Sequence, residues 1–153
     1  PTLRVHGIDI SSAMVAKAQV NVHENGLSSV IEIKRGDACR IPYRDASFDV
    51  VVSTGSIHHW KEPVRALNEI YRVLRDGGYA LVYDVVSDTP PSVLKKAAGE
   101  FGRLRILLLW IHAFEEPFYS RKALQQLPQS SLFREGNTSF PGVFCCLAMR
   151  KNS

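Results

Sequence analysis

Apolar and polar positions alternate along the first 86 residues in blocks that predict an α/β fold. Near-continuous apolar runs predict buried strands at residues 3–10, 30–34, 48–53 and 79–86. The run at 48–53 (FDVVVS) is typical of a strand covered on both faces of a parallel sheet. Strands that alternate with helices in this way indicate a mostly parallel sheet with right-handed crossovers.

Two amphipathic helices lie between these strands. Ser11 or Ser12 can cap the first, in which Met14, Ala18 and Val22 are spaced four apart on one face. The second is predicted to begin at Pro63 and to end at Gly77–Gly78. Its apolar stripe is formed by Leu67, Ile70, Tyr71 and Leu74.

After residue 86 the pattern changes. Thr89–Pro90–Pro91 interrupts the chain, a mostly helical stretch follows, and Ser120 can cap a short helix. Two strands joined through Pro141–Gly142 are expected to pair antiparallel. The predicted segments are 92–114 and 120–127 for helices and 132–140 and 143–149 for strands. We expect one domain, 1–153, with a variable helical insert at 87–130.

The composition of the chain makes several classes of function unexpected. The 153 residues are 45% hydrophobic and 22% charged, with a net charge of +4. The cations are spread along the chain, so we expect no nucleic-acid partner, and the apolar run at 106–111 is too short to span a bilayer, so we expect no membrane partner. The three cysteines form no C-x-x-C pair, so no metal site is expected, and free thiols favour a cytoplasmic protein. Cys145 and Cys146 are neighbours on a predicted strand and should face opposite sides.

The predicted strands end in polar residues that suit a nucleoside. Ligands of open α/β sheets bind beyond the carboxyl ends of the strands. There, Asp9 could accept hydrogen bonds from a ribose diol and Asp37 from an adenine amine. Either carboxylate could instead cap a helix or a turn. The strand ends concerned are Asp9, Asp37, Ser53 and Asp84.

Four motifs follow one another in a familiar order. They are GIDISSAM at 7–14, GDACRIPYRDASFDVVVS at 36–53, IHHW at 57–60 and EIYRVLRDGGYALVYD at 69–84. Together they resemble the class I, Rossmann-like, S-adenosylmethionine-dependent methyltransferases, in the type 11 branch of quinone-biosynthesis C-methyltransferases. The resemblance implies a mostly parallel sheet with an antiparallel last strand, S-adenosylmethionine as cofactor and a small-molecule acceptor.

The resemblance also implies roles for individual residues. Asp9 is similar to the residue that binds the cofactor ribose, and Ile10 to the one that packs on adenine. Asp37 resembles the acceptor for the adenine amine, and Ala38 the residue that donates its backbone amide nearby. Ser53 corresponds to a position beside the methionine part of the cofactor.

One family feature is not found. The family's glycine-rich loop follows a first, central strand about 20 residues before the acidic residue, whereas eight residues precede Asp9. We therefore expect an N-terminally truncated sheet with a gap about 10 Å wide, and a strand-donating partner or self-association. Two other interpretations remain: a remnant of the fold without cofactor binding, and another nucleoside- or dinucleotide-binding domain.

Two histidines and several aromatic residues are further candidates. His58 or His59 could be the general base that a protonated acceptor requires, or could pack against the sheet and bond the backbone. The resemblance to the family implies that the insert at 87–130 covers the substrate. Its aromatic residues suggest an apolar acceptor pocket or, equally, a helix packed on the sheet; they include Phe101, Phe114, Phe118 and Tyr119.

Overall fold

The computed structural model describes residues 3–115 and 118–152, with the side chains of all of these except 109, 110 and 112–115. The strands are β1 (Val5–Asp9), β2 (Ile31–Arg35), β3 (Phe48–Thr54), β4 (Leu74–Val85), β5 (Asn137–Ser139) and β6 (Phe144–Arg150). The helices are α1 (Ser12–Glu24), α2 (Pro63–Val73), α3 (Pro91–Phe101), α4 (Arg103–Glu115) and α5 (Arg121–Gln126). Single 3₁₀ turns lie at Ile57–His59 and Pro128–Ser130. None of the helices in the described ranges has the length and apolarity to cross a membrane.

The strands form two sheets. In the first, β1 and β2 are parallel. The second has the order β3-β4-β6-β5, in which β3 and β4 are parallel and β6 is antiparallel to both of its neighbours. This confirms the predicted α/β fold with its antiparallel last strand.

A gap separates the two sheets. Among the described residues β1 pairs only with β2, and β3 only with β4, so β1 and β3 share no ladder. Three rings connect the beginnings of these strands: His6 lies 5.6 Å from Phe48 and 5.2 Å from Tyr43, centroid to centroid, and Tyr43 lies 5.0 Å from Phe48. Side chains therefore bridge the two sheets where backbone hydrogen bonds do not.

The core lies between α2 and the four-stranded sheet. Leu67, Ile70 and Val73 of α2 are buried against β4 and β6. The strands contribute alternate residues, as a sheet with one face on the core requires, among them Ala80, Val82, Cys145, Leu147 and Met149. Cys145 is buried and Cys146 only partly so, which confirms that they face opposite sides.

Helix α1 turns a slightly different face to its sheet than predicted. Val15 is buried, whereas Met14, which belongs to the predicted apolar face, is exposed. The side-chain amide of Gln19 donates to the carbonyl of Ile33 on β2 at 3.0 Å. A polar side chain therefore shares the inner face, because it satisfies a carbonyl at the sheet edge.

Strand β3 is not covered on both faces, contrary to the prediction. Val50 and Val52 are each more than half exposed, whereas Val51 contacts the core. In the described structure β3 is an edge strand with α2 on one side of its sheet only, which leaves the other face open.

Helix α2 ends four residues earlier than predicted, at Val73 rather than at Gly77. The backbone N–H groups of Ala46 and Ser47 donate to the carbonyls of Arg72 and Val73 at 3.1 and 2.8 Å. Since these amides satisfy the last carbonyls of the helix, the chain can turn at once into β4. Gly77, with φ of +79°, lies inside β4.

Two predicted segments after residue 86 are divided or shortened. The helical stretch 92–114 is two helices, because Gly102 has φ of +92° and breaks the helical backbone. The strand predicted at 132–140 is formed only at Asn137–Ser139. Before it, Ser131 and Arg134 make a turn in which the N–H of Arg134 donates to the carbonyl of Ser131.

Arg72 and Glu69 hold the segment between β2 and β3 on helix α2. The Arg72 guanidinium donates to the carboxylates of Glu69 and Asp45, each at 2.8 Å, and to the carbonyls of Tyr43 and Ile41. Glu69 also accepts the N–H of Ile41 at 2.9 Å. This network fixes the connection between the two sheets.

Candidate functional site

Asp9 and Asp37 occupy matching positions at the ends of adjacent parallel strands. Asp9 is paired in register with Arg35, and Asp37 follows Arg35 by two residues. The Oδ1 atom of Asp9 accepts the N–H of Ser11, and Oδ1 of Asp37 accepts the N–H of Cys39, each at 2.8 Å. Both carboxylates therefore close a turn two residues ahead, as the capping alternative predicts.

The same turns leave each carboxylate a second oxygen. No hydrogen bond within the described ranges uses Oδ2 of Asp9 or of Asp37. Since Oδ1 is held by the backbone, the direction of each carboxylate is fixed. A turn-forming role and a ligand-binding role are thus compatible.

Backbone geometry at this edge is tightly defined. The Arg35 side chain donates through Nε to the carbonyl of Ile10 at 3.2 Å, and the Ile10 side chain is exposed. Gly36 links β2 to Asp37, and a Cβ atom there would lie 3.1 Å from both Ile8 and Pro42. A side chain at Gly36 would press on the strand that carries Asp9. Ala38, partly buried, lies within the turn that Asp37 closes.

Ser53 lies near the end of β3, in the other sheet. Its hydroxyl shares a hydrogen bond with that of Ser56 at 2.5 Å. Gly55 lies between them with φ of +59°, and its N–H donates to the carbonyl of Tyr83 on β4 at 2.8 Å. The turn after β3 is thereby attached to the neighbouring strand and leads directly into Ile57–His59.

A buried histidine–carboxylate pair lies at the end of β4. Nδ1 of His58 is 2.8 and 3.0 Å from the two carboxylate oxygens of Asp84, and the side chains are 5% and 2% exposed. Asp84 also accepts the N–H of Val85 at 2.7 Å and that of His58 at 3.3 Å. This pair attaches the 3₁₀ turn at Ile57–His59 to the end of β4.

His59 and two aromatic residues surround that pair. The His59 residue is exposed, and its ring lies 3.9 Å from the His58 ring, centroid to centroid. Phe118, buried, packs edge-on to His58 at 4.7 Å. Burial and the nearby Asp84 carboxylate raise the pKa of the Tyr119 phenol. The predicted insert thus contributes Phe118 beside His58 and Tyr119 near Asp84, whereas the side chain of Phe114 lies outside the described ones.

The ends of the strands could be predicted from the sequence, but two relationships between side chains could not. Asp84 was predicted only as a strand end, and its pairing with His58, 26 residues away, had no signal in the spacing. Glu69 and Arg72 were noted only inside a motif, although their spacing of three on a helix favours an ion pair. In the described ranges no cluster of three or more His, Cys, Asp or Glu residues could hold a metal ion.

The chain is similar in sequence to longer proteins that are named as methyltransferases. The chain is 34% identical over 99 residues to a phosphatidylethanolamine N-methyltransferase of Cereibacter sphaeroides, covering 63% of this chain and 49% of that protein. It is 31% identical over 93 residues to a demethylmenaquinone methyltransferase of Lactobacillus johnsonii, covering 61% and 38%. The chain therefore spans less than half the length of these curated relatives.

The fold is also similar to that of a solved methyltransferase structure. A crystal structure of an S-adenosylmethionine-dependent methyltransferase from Aquifex aeolicus superimposes with a TM-score of 0.70 at 21% identity, covering 95% of this chain and 68% of that one. Residues 2–82, which carry all the strand ends described above except Asp84, match the family described as the methyltransferase domain. The chain belongs to the methyltransferase domain family.

Proposed function

We propose that this chain forms the greater part of a domain that transfers a methyl group from S-adenosylmethionine to a small-molecule acceptor. The observation that carries the proposal is the matched pair Asp9 and Asp37, whose carboxylates are oriented by equivalent turns on adjacent strand ends. Family membership supports it.

The proposed cofactor site uses the side chains at this edge. Asp9 accepts hydrogen bonds from the two ribose hydroxyls through its second oxygen, and Ile10, exposed beside it, packs on the adenine ring. Asp37 accepts from the adenine amine and Ala38 donates its backbone N–H. Ser53, held by Ser56, contacts the methionine portion.

The two histidines receive different roles in the proposed mechanism. S-adenosylmethionine supplies a methyl group on a sulfonium, and an acceptor that carries a proton requires a base. His59, which is exposed, accepts that proton. His58 is buried against Asp84 and is a positioning residue that holds the turn bearing His59. We propose that the insert at 87–130 covers the acceptor, with Phe118 and Tyr119 on its inner side, and that the protein is cytoplasmic.

We propose further that a complete cofactor site requires one more strand between β1 and β3, supplied by a partner or by further chain. The support is the absence of a ladder between these strands in the described structure, together with the exposed valines of β3. Unpaired backbone groups on such edges favour pairing with an additional strand. Such a strand would carry the loop whose backbone amides hold the cofactor's methionine end.

Calorimetry tests both statements. S-adenosylhomocysteine is titrated into residues 1–153 and into the same chain preceded by a grafted strand and glycine-rich loop from a homologous methyltransferase. We expect little or no binding to the first and micromolar binding to the second. Failure of both proteins to bind would refute the cofactor assignment.

Tight binding by a stable monomer of residues 1–153 would refute the need for an added strand. Size-exclusion chromatography with light scattering supplies the second readout, since open strand edges predict self-association. Val52→Lys, which places a charge on the exposed face of β3, should reduce that association. Leu132→Lys is the matched control, because Leu132 is equally exposed but lies far along the chain in a turn.

A further inference from the structure

Helix α4 presents an apolar stripe to solvent. The stripe consists of Leu104, Leu107, Leu108 and Ile111, which are between 49% and 68% exposed. Their spacing of three and four residues places all four on one face of the helix. Phe101, at the end of α3, is 56% exposed and extends the apolar surface beyond the helix start.

The opposite face of α4 is apolar as well. Ile106 lies about 150° around the helix from the centre of the stripe and is partly buried, and α4 contacts α3. A helix that is apolar on both sides is normally buried. We therefore expect the stripe to be covered by another apolar surface.

Cations border the stripe on both sides. Arg103 and Arg105 immediately precede and follow Leu104, so each lies about 100° from it around the helix, in opposite directions. Both are exposed, as is Lys95 on α3. A carboxylate oxygen of Glu100, the acidic residue of α3, lies 3.9 Å from Nζ of Lys96, so the negative charge of Glu100 is paired with a positive one. Long basic side chains in these positions can reach past an apolar face to anionic groups at its margin.

We propose that the stripe docks on the surface of an anionic lipid bilayer, with α4 lying in the membrane plane. At 13 residues α4 is too short to span the hydrocarbon layer, but its apolar width and basic margins fit the interface between acyl chains and headgroups. The expectation of no membrane partner rested on spanning length, which does not bear on docking at the surface.

The charges favour a lipid surface over a second copy of the chain. In a two-fold symmetric contact through the stripe with the two helices parallel, the arginines of one copy would face those of the other across the margin. That arrangement brings like charges together at the rim of the contact. An anionic headgroup layer instead meets both arginines with opposite charge.

Vesicle flotation tests the proposal with the full chain and no cofactor, so its outcome is independent of methyl transfer. Vesicles of phosphatidylcholine alone are compared with vesicles that also contain phosphatidylglycerol. Wild type should bind the anionic vesicles, and Leu108→Glu should lower the bound fraction about tenfold or more, because a carboxylate enters the apolar face. Leu132→Glu is the matched control: Leu132 is 53% exposed, its backbone N–H donates to Asn68 of α2, and its variant should bind as wild type does.

The arginines are tested separately. Arg103→Gln with Arg105→Gln should weaken binding to anionic vesicles about fivefold for each charge removed, and the matched pair Arg40→Gln with Arg44→Gln should have a much smaller effect. Circular dichroism establishes that each variant is folded. If Leu108→Glu does not fold, Leu104→Gln replaces it, and the same loss is expected.

Several results would overturn the proposal. They are the absence of wild-type binding, equal binding to neutral and anionic vesicles, and unchanged binding of the folded stripe variants. A further one combines two observations: the wild type does not bind vesicles, and light scattering shows that it forms a dimer that Leu108→Glu abolishes. That last result would make the stripe an interface between copies.

Discussion

Nδ1 of His58 lies 2.8 Å from one carboxylate oxygen of Asp84 and 3.0 Å from the other, in a position almost sealed from solvent. The pair joins the turn after β3 to the end of β4, so it determines where the neighbouring His59 is presented. A buried carboxylate is tolerated only when donors surround it, and the backbone N–H groups of His58 and Val85 are additional donors.

Asp84→Asn should destabilise the protein by about 1–3 kcal/mol. The amide offers one acceptor oxygen where the carboxylate offers two, and it turns an NH₂ group toward existing donors. Urea denaturation gives the free energy of unfolding. Asp49→Asn is the control, because Asp49 pairs with Arg75 at the exposed surface and should change stability by less than about 1 kcal/mol. Equal effects of the two substitutions would show that the buried pair contributes no more to stability than an exposed ion pair does.

Glu69 predicts a specific dependence of stability on pH. The hydrogen bonds from Arg72 hold the pKa of Glu69 below its ordinary value of 4.5, in spite of partial burial. A carboxyl whose pKa is depressed by folding stabilises the native state above its unfolded pKa, and this contribution is lost as the pH falls through the folded value. The stability difference between wild type and Glu69→Gln should therefore be largest above pH 4.5 and shrink on further acidification.

Urea denaturation at a series of pH values measures that difference. Glu62→Gln is the matched control, since Glu62 makes a similar three-residue ion pair with Arg65 but on an open surface. A constant difference for Glu69→Gln from pH 7 down to pH 3 would contradict the assigned role of Arg72.

Asp9→Asn should weaken the binding of S-adenosylhomocysteine to the strand-completed chain by about 1–3 kcal/mol, because charge-assisted hydrogen bonds to the ribose become neutral ones. Asparagine can still accept the N–H of Ser11, so the turn should persist. Asp9→Ala removes both functions and should also lower stability. Calorimetry and thermal melting separate the two effects; undiminished affinity in Asp9→Asn would leave Asp9 with a structural role alone.

His59→Gln should lower turnover about a hundredfold with little change in cofactor affinity, once an acceptor that carries a proton is found. Glutamine keeps a polar side chain at the site but cannot act as the base. The pH profile of turnover is the decisive readout, since the limb due to the base should disappear in the variant. Equal pH profiles for wild type and variant would assign His59 to packing.

The two adjacent cysteines should differ in reactivity. Burial raises the pKa of Cys145 to about 11, whereas Cys146 is partly exposed on the other side of β6. A rise of two pKa units leaves roughly a hundredfold less thiolate at neutral pH. Alkylation followed by mass spectrometry should label Cys146 in the native protein and Cys145 only after urea is added. Comparable labelling rates would contradict the burial of Cys145.

The sequence by itself determined the elements and the strand-end acids. Period-two and period-3.6 patterns depend on neighbours within one or two turns, so β1 to β4, α1 and α2 could be predicted. Asp9 and Asp37 were identifiable because parallel strands bring their carboxyl ends to one edge. The order of four motifs then indicated the methyltransferase family. Each of these inferences needs only local spacing and the direction of the strands.

Tertiary structure decided which faces are covered and which distant groups meet. Met14 and Val15 are equally apolar in the sequence, yet only packing on β2 selects Val15. The end of α2 is set by amides of residues 46 and 47, which approach it from another part of the chain. His58 meets Asp84 because β3 and β4 pair in parallel, with Thr54 at the end of β3 opposite Tyr83. Helix α4 contacts α3, and that contact leaves its stripe exposed. Such outcomes depend on contacts between residues far apart in sequence, and local patterns carry no information about them.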